Sequence, residues 1–170
     1  SIIEATSSRV GKEWEPLVAS SLSDRKVRYV GEEGTGTRYR KKGVSQGSGL
    51  SPILYAFHSV GIAEEISKGP TSNDRGDKWE IIIIIYADDV CIAIASETAD
   101  GLKEGIRTAR ASALKWAEKE HMELAPQKEE LLVCGGRAEG LLLEQSLPEL
   151  SGKVKHEVKW LGVWLHFPDK

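Results

Sequence analysis

The spacing of hydrophobic residues changes several times along the chain, and each change predicts a different element. Over residues 98–120 the apolar positions step by three or four, which predicts a helix with one apolar stripe. This stripe comprises Leu102, Ile106, Ala109, Ala113, Trp116 and Ala117. Thr98 is placed to cap the helix. Similar spacing predicts helices over residues 12–22 and from Pro52 to about residue 63.

Runs of β-branched residues predict strands. Five isoleucines at positions 81–85 are continuous, which is typical of a central strand buried on both faces. We predict strands at 80–86 and 90–95, with Asp88 and Asp89 between them. Further strands are predicted at 26–31, 37–42 and 130–134 and within 156–167, while 67–78 and 135–153 are expected to be loops. This order predicts an α+β fold, an antiparallel sheet with helices packed on one face.

Composition adds limits to this picture. The chain has 170 residues, 40% of them hydrophobic and 29% charged, which suits one globular domain with a core. The isoleucine run is too short to span a bilayer, and no segment is typical of a signal peptide, so no membrane partner is expected. Cys91 and Cys134 are not spaced as metal ligands, and we expect free, buried thiols in a reducing compartment.

Charge is uneven along the chain. The net charge of −3 argues against a generally basic nucleic-acid-binding protein. However, residues 24–42 hold seven basic residues against three acidic ones. Such a stretch can contact phosphates, and a solvated hairpin rim explains the same pattern. The sequence leaves both readings open.

Asp88 and Asp89 are the first candidates for chemistry. A tight hairpin turn can aim both carboxylates toward one opening, where they supply the hard oxygen ligands that Mg²⁺ prefers. Enzymes that transfer phosphoryl groups use such ions to stabilise the attacking and leaving oxygens. Aspartate is also a favoured residue in ordinary turns, so a plain turn is the alternative.

The loop "GVSQGSGLSP" is the second candidate. Its glycines permit close approach of the backbone to a ligand, and Ser45 and Gln46 offer hydrogen bonds. A helix that begins near Ser51 would present free N–H groups toward a phosphate. The loop lacks the Gly-Lys-Ser/Thr sequence of a P-loop, and a purely structural loop is the alternative.

Together, "GVSQGSGLSPILY" and a downstream "YADD" between apolar strands resemble the palm domain of reverse transcriptases. The resemblance continues through "LKWAEKE", "LAPQKEE" and "KWLGVWL", and upstream through "SSLSDRKVRYV". It covers about residues 10–166 and is closest to the non-LTR (LINE-like) retrotransposon enzymes. It implies an incomplete palm, with residues 1–42 entering it, 43–134 forming its core and 135–170 ending in a primer-grip-like hairpin.

The resemblance implies RNA-directed DNA synthesis, in which a primer 3′-OH attacks a deoxynucleoside triphosphate. Asp88 and Asp89 would bind catalytic Mg²⁺ (or Mn²⁺), and Lys128 would donate a proton to the leaving pyrophosphate. The substrate contacts would come from Ser45, Gln46 and Gly47 for nucleotide and template, Tyr86 and Ala87 for the primer end, and Trp160, Leu161 and Gly162 for the primer grip. Each has a simpler alternative: a loop cap for Gln46, a solvated lysine for Lys128, a core aromatic for Trp160.

The chain departs from the family pattern in two places. Glu129 stands where a threonine is expected after Lys128, and the third metal-binding aspartate of an earlier strand is missing. We therefore expect this chain alone not to polymerise, as an excerpt that works with the fingers and thumb of a parent polymerase in the nucleus or cytoplasm. The alternatives are a non-catalytic remnant that binds nucleic acid or protein, and another palm-like nucleotidyltransferase, which "YADD" disfavours.

Overall fold

The computed structural model describes residues 1–31, 34–40, 43–45, 47–134 and 137–166, without the side chains of residues 40 and 137–141. Its helices are α1 Ile2–Val10, α2 Glu15–Leu22, α3 Ser51–Ser67, α4 Ala99–Lys119 and α5 Arg137–Ser146. Its strands are β1 Arg25–Gly31, β2 Gly34–Arg40, β3 Glu80–Tyr86, β4 Asp89–Ala95, β5 Leu131–Leu132, β6 Val154–Lys155, β7 Glu157–Trp160 and β8 Val163–His166.

The strands pair into four small sheets of two strands each: β1–β2, β3–β4, β5–β6 and β7–β8. The β1–β2 and β7–β8 pairs are antiparallel, whereas β5 and β6 run parallel. The predicted α+β class is confirmed, with small antiparallel sheets. Within the described ranges these sheets are separate from one another, where the pattern predicted a single sheet.

The chain divides into two compact units. The first comprises Ser1–Lys68 and Ile82–Ala93, and the second comprises Gly69–Ile81 and Ile94–Lys170. The predicted division into segments 1–42, 43–134 and 135–170 stays a prediction. No helix in the part of the chain that the structure describes is long and apolar enough to cross a membrane.

In the first unit, α1 packs against α3. Helix α1 begins with a reciprocal cap, in which the Ser1 hydroxyl accepts from the Glu4 N–H and the Glu4 carboxylate accepts from the Ser1 backbone nitrogen. An ion pair of 2.5 Å joins Arg9 of α1 to Glu64 of α3. Hydrophobic spacing does not predict α1, because serine and threonine hydroxyls occupy its middle turns, where Thr6 donates to the Ile2 carbonyl.

In the second unit, α4 supplies one side of the core. The predicted helix and its Thr98 cap are confirmed, and the stripe is buried at Ile106, Ala109, Ala113, Trp116 and Ala117. Ile106 packs in a cluster with three leucines that follow the start of α5: Leu143, Leu147 and Leu150. The prediction of a loop over 135–153 was wrong, because these leucines are spaced by four and three and form the apolar side of α5 and the 3₁₀ turn after it.

The amino-terminal half of α4 lies against the start of β3 and the end of β4. A Cβ added to Gly105 would lie 2.9 Å from both Trp79 Cγ and Ile94 Cγ2. Trp79, directly before β3, is almost fully buried. Glycine at position 105 is therefore required for this close packing, because any larger residue would push α4 away from the two strands.

The amino end of α4 is held by hydrogen bonds as well as by packing. The Thr98 hydroxyl accepts from the Gly101 N–H at 3.0 Å and donates to Asp77 Oδ1 at 2.8 Å. Asp77 also accepts from the Asn73 side chain at 2.9 Å, and these two hydrogen bonds lower the pKa of the Asp77 carboxyl. The predicted loop before β3 is thus an ordered turn that anchors the start of α4.

We expect Gly105→Ala to destabilise the protein by about 1–3 kcal/mol, because the added methyl group overpacks the contact with Trp79 and Ile94. Helix propensity alone predicts the opposite sign, a gain of up to about 1 kcal/mol. Urea unfolding followed by circular dichroism measures the difference. Ala111→Gly, at an exposed position of the same helix, calibrates the propensity term. A higher urea midpoint for Gly105→Ala would show that the close contact does not exist.

Candidate active site

The β3–β4 hairpin places the two aspartates at its tip. Strand β3 ends at Tyr86 and β4 begins at Asp89, so Ala87 and Asp88 alone connect them. A connection of two residues requires antiparallel strands. Ala87 has a φ of 50°, a left-handed conformation that is unfavourable for a residue with a Cβ. Both carboxylates are exposed, as expected for groups that meet a ligand.

The isoleucine strand is not buried on both faces, so that prediction was wrong. Side chains alternate along β3 between half-buried and exposed, with Ile82 64% and Tyr86 62% exposed. The reason is that β3 pairs with β4 alone among the described strands. A strand in a two-stranded sheet has a covered face only where another element packs on it.

Tyr55 is a neighbour of the candidate site that the sequence reasoning did not name. It lies on α3 in the same unit as the hairpin tip and is half-buried. Burial raises the pKa of the Tyr55 phenol, and the negative charge of Asp88 raises it further. The phenol therefore stays neutral and able to donate a hydrogen bond near Asp88. The one sequence signal for Tyr55 is its place in the first turns of the helix after the glycine-serine loop.

The glycine-serine loop is tied to the start of α3. The Ser45 carbonyl accepts from the Ser51 hydroxyl at 2.5 Å and from the Ser48 N–H at 3.4 Å. Gly47 has a φ of 85°, which glycine adopts without strain, and no atom of the described residues lies within 4 Å of where its Cβ would be. The backbone at Gly47 is thus open to a ligand. Gln46 lies outside the described residues.

Helix α3 begins at Ser51, as predicted, with Pro52 in its first turn. No described side chain caps this end of the helix, but the Ser51 N–H donates to the Ser48 carbonyl at 3.1 Å and the Leu54 N–H to the Leu50 carbonyl at 3.0 Å. Pro52 itself has no N–H. The glycine-serine loop thus already satisfies the Ser51 N–H at the start of α3.

In the second unit, Lys128 ends a 3₁₀ turn, Pro126–Lys128, and is exposed. The next residue, Glu129, is half-buried and accepts from Arg110 at 3.0 and 3.4 Å and from Lys153. Lys153 also donates to the Pro126 carbonyl at 3.1 Å. Burial alone would raise the pKa of the Glu129 carboxyl, but the hydrogen bonds from Lys153 and Arg110 lower it overall.

These contacts explain why glutamate serves at position 129. It joins α4, the 3₁₀ turn and Lys153 through one carboxylate, and it fixes the turn that presents Lys128. A threonine could not accept from two cations in this way. Glu129 thus helps to hold the 3₁₀ turn that ends at Lys128, which the sequence reasoning did not anticipate.

The β7–β8 hairpin carries the predicted primer grip. Leu161 and Gly162 form its two-residue turn, with φ values of 51° and 83°. Positive φ at both central residues defines the type I′ turn that suits tight hairpins. Trp160 pairs with Val163 beside the turn, and its Nε1 is buried without a partner among the described atoms. Trp164 is exposed, with Lys159 Nζ 5.8 Å from its ring centroid.

Comparison with known proteins agrees with this arrangement of motifs. A family model described as "Reverse transcriptase (RNA-dependent DNA polymerase)" matches residues 3–165. The chain belongs to this reverse transcriptase family. Searches of curated proteins and of solved structures found no match. As a reverse transcriptase domain, the chain is expected to act on nucleic acid and nucleotides.

Within this reverse transcriptase domain the predicted site residues fall into two groups. Tyr86, Ala87, Asp88 and Asp89 share one hairpin in the first unit, which also holds Ser45 and Gly47. Lys128 and the turn formed by Trp160, Leu161 and Gly162 belong to the second unit. The meeting of the two groups in one active site stays a prediction.

The ligand type at the hairpin tip suits a divalent metal ion, but the number of ligands is too small to complete its coordination. Asp88 and Asp89 are carboxylates, the ligand type that Mg²⁺ prefers. Among the residues with described positions, no three histidine, cysteine, aspartate or glutamate side chains converge. The reverse transcriptase hairpin therefore offers two ligands at most from its own tip, and the remaining positions of an octahedral ion need other donors.

Both cysteines are free thiols, as predicted. Cys91, two residues into β4 from Asp89, is half-buried, and burial raises the pKa of its thiol. Cys134 is exposed, so the prediction that it is a small buried hydrophobe was wrong. The strand that contains Leu131 and Leu132 ends before position 134, which leaves this side chain outside the packed segment.

We expect Glu129→Gln to lower stability at pH 7 and to shift the pH dependence of unfolding. Since the folded-state pKa of Glu129 lies below its ordinary value, its ionic contribution is full above the unfolded pKa and is lost as pH falls through the folded pKa. The difference in urea midpoint between wild type and variant should therefore shrink below about pH 4.

Glu130→Gln is the matched control, because Glu130 is the exposed neighbour. It should change the urea midpoint little at any pH. If both variants behave alike, or if the difference at Glu129 persists at low pH, the ionic link to Arg110 and Lys153 is not what holds the turn.

Proposed function

We propose that this chain is the palm segment of a non-LTR (LINE-like) retrotransposon enzyme that transfers deoxynucleotides to a primer 3′-OH on an RNA template. The observation that carries the proposal is the β3–β4 hairpin, which holds two exposed carboxylates on a two-residue turn inside a chain that matches the reverse transcriptase family. A hairpin tip is a rigid place from which to present ligands, because the strands on both sides restrain it.

In this proposal Asp88 and Asp89 hold the catalytic Mg²⁺ (or Mn²⁺). The bound ions supply charge neutralisation at the attacking and leaving oxygens. The hairpin keeps the two carboxylates adjacent and exposed, so their oxygens are available without rearrangement of the core. The neutral Tyr55 phenol near Asp88 can donate a hydrogen bond to that carboxylate and orient it.

The other roles follow the resemblance. The exposed Tyr86 ring and Ala87 support the primer end, and the open backbone at Gly47 gives the nucleotide and template room to approach. Lys128 donates a proton to the leaving pyrophosphate from a turn that Glu129 fixes. The proposed contacts also include Ser45, Gln46, Trp160, Leu161 and Gly162.

We further propose that the 170-residue chain needs the fingers and thumb of a parent polymerase, acting in the nucleus or cytoplasm. Two adjacent carboxylates are too few to bridge two metal ions, so a third must come from elsewhere. The second candidate function is a non-catalytic remnant that binds nucleic acid or protein. It is favoured by the same observation, that no third acidic ligand joins Asp88 and Asp89 among the described residues.

Metal binding separates the two candidates. We expect Asp88→Asn combined with Asp89→Asn to weaken Mn²⁺ binding by at least the roughly 10- to 100-fold that loss of even an outer-shell partner costs. Electron paramagnetic resonance of free Mn²⁺ during titration gives the affinity. Asp74→Asn is the control, since Asp74 is an exposed carboxylate in an ordered turn. Equal affinity in wild type and the double variant would favour the remnant.

Primer extension tests the need for further segments. With oligo(dT) on poly(rA), deoxythymidine triphosphate and Mg²⁺, we expect the isolated chain to extend no primer, because two carboxylates do not complete a site for two metal ions. Gel separation of the labelled primer gives the readout. Extension that is abolished by Asp88→Asn would show instead that the chain contains the whole catalytic ligand set.

A further inference from the structure

Strand β3 has one edge without a partner strand. Among the described strands it pairs with β4 alone. On the side away from β4, the segment before β3 folds back, and Ser72 forms an isolated antiparallel bridge with Lys78. The Trp79 N–H also donates to the Thr71 carbonyl at 3.0 Å, so this segment covers the edge as far as Trp79. Beyond it, the edge of Glu80–Tyr86 is open among the described residues.

The backbone groups at this edge belong to alternate isoleucines. In an antiparallel pair, the positions that hydrogen-bond to the partner strand alternate along each strand. With a two-residue connection, Tyr86 and Asp89 form the hydrogen-bonded pair next to the turn. The N–H and C=O groups of Ile81, Ile83 and Ile85 therefore point away from β4. These groups are donors and acceptors that a further strand can satisfy.

The edge of β3 lacks the features that usually prevent a strand from pairing with another chain. Such features are basic side chains, proline, bulges and a very short strand. Strand β3, with the sequence "EIIIIIY", has seven residues, and its one charged residue is the first. By contrast, β1 contains three basic residues and β2 contains two. A seven-residue segment of high β propensity and low charge, without proline or glycine, is typical of strands that pair with copies of themselves.

One face of β3 is both apolar and exposed. Ile82 is 64%, Ile84 45% and Tyr86 62% exposed, whereas the other three isoleucines of the strand are half-buried. A strand added at the open edge would place its own side chains beside Ile82 and Ile84. Pairing at this edge therefore removes apolar surface from water as well as satisfying backbone groups.

The side chains of β3 select one register for pairing with a second copy of the strand. Opposite residues of an antiparallel pair share a face, so the exposed face of one copy must continue as the exposed face of the other. Pairing centred on Ile83 meets this condition, uses the whole strand and places Ile82 opposite Ile84 of the second copy. A register centred on Ile84 would instead place Glu80 opposite Asp88 of the second copy, and these like charges repel each other.

The ends of the strand are complementary in the register centred on Ile83. Glu80 stands opposite Tyr86 of the second copy, whose phenol can donate a hydrogen bond to the carboxylate. The turn of the second copy, with its Asp88 carboxylate, then lies on the side of Lys78, which is exposed. Each contact occurs twice, because a twofold axis relates the two copies. The polar ends of the strands thus meet polar partners, and the apolar centres meet each other.

We propose that β3 pairs antiparallel with β3 of a second copy of this chain, about a twofold axis at Ile83. The result is one four-stranded sheet in the order β4–β3–β3–β4. The edge N–H and C=O groups of Ile81, Ile83 and Ile85 bond across the axis, and Ile82 and Ile84 of each copy pack against those of the other. Such an isologous contact closes at two copies. The inference goes beyond the proposed function and does not depend on metal or nucleic acid at the hairpin tip.

Analytical ultracentrifugation of the full chain over a series of concentrations tests the proposal. We expect wild type to form a dimer. Ile82→Lys with Ile84→Lys should weaken the dimer about 10-fold, because the register places these lysines opposite one another. Ile82→Glu with Ile84→Glu should weaken it in the same way. An equimolar mixture of the two double variants should recover the dimer, since each lysine then faces a glutamate of the other chain.

Ile53→Lys is the matched control, because Ile53 is an isoleucine of α3 that is 51% exposed. It should dimerise as wild type does. Circular dichroism confirms that each variant keeps its secondary structure. Hydrogen exchange followed by NMR then locates the interface. We expect the amides of Ile81, Ile83 and Ile85 to exchange more slowly as the concentration rises, whereas Ile82, which already bonds to β4 in the monomer, should change little.

Several results would overturn the proposal. A wild-type chain that stays monomeric at every concentration would leave the edge of β3 for a strand of a different protein. Dimers that survive both double variants, or that form without slower exchange at the three edge amides, would place the interface elsewhere. Failure of the mixture to recover the dimer would exclude the register centred on Ile83. Assemblies larger than a dimer would show open-ended pairing that also uses the edge of β4.

Discussion

The contact of α4 with the outer ends of β3 and β4 is the constraint on which the candidate site depends. Glycine at position 105 lets the helix approach Trp79 and Ile94, one residue from each side of the hairpin. Both ends of the hairpin are thereby fixed on one helix, and the strand lengths then determine which residues reach the turn. Asp88 and Asp89 are at the tip because seven-residue strands of equal length flank the two-residue connection.

Charged side chains occur in two different environments in this chain. Glu129 satisfies two cations at once, and this compact cluster ties a 3₁₀ turn to α4 and Lys153. In the β1–β2 hairpin, cations instead stand over aromatic rings, with no acidic residue in either strand. Paired charges of the first kind hold structure, because breaking them leaves a half-buried charge without a partner. Cations of the second kind lie beside exposed aromatic rings of the partner strand.

The tip of the β3–β4 hairpin supplies some, but not all, of the ligands that a divalent metal ion would need. The hairpin provides hard oxygen ligands in an exposed place, which suits an ion that shares its coordination with water and phosphate. The hairpin provides two carboxylate ligands, whereas a site for two metal ions uses more than two. Two exposed carboxylates on a tight hairpin, in a chain of the reverse transcriptase family, are the basis of the proposed metal site.

Local sequence pattern determined the elements with strong periodicity or tight turns. Helix α4 with its Thr98 cap, the hairpin around Asp88 and Asp89, and the start of α3 near Ser51 follow from rules that act within a few residues. The reverse transcriptase motifs could be recognised for the same reason, since each lies in one short segment. The approximate positions of the strands in the β1–β2 and β3–β4 hairpins could also be predicted.

Tertiary contacts decided the rest. Helix α5 is stabilised by the packing of its leucines against Ile106, which is distant in the sequence. The isoleucine strand is half-exposed because burial depends on which elements pack against a strand and not on its composition. The pKa of Tyr55 is affected by Asp88, and Glu129 accepts hydrogen bonds from Arg110 and Lys153. No local sequence pattern predicts these partners. Secondary structure and motifs depend on the order of residues, whereas burial, ion pairing and pKa depend on which distant residues fold against them.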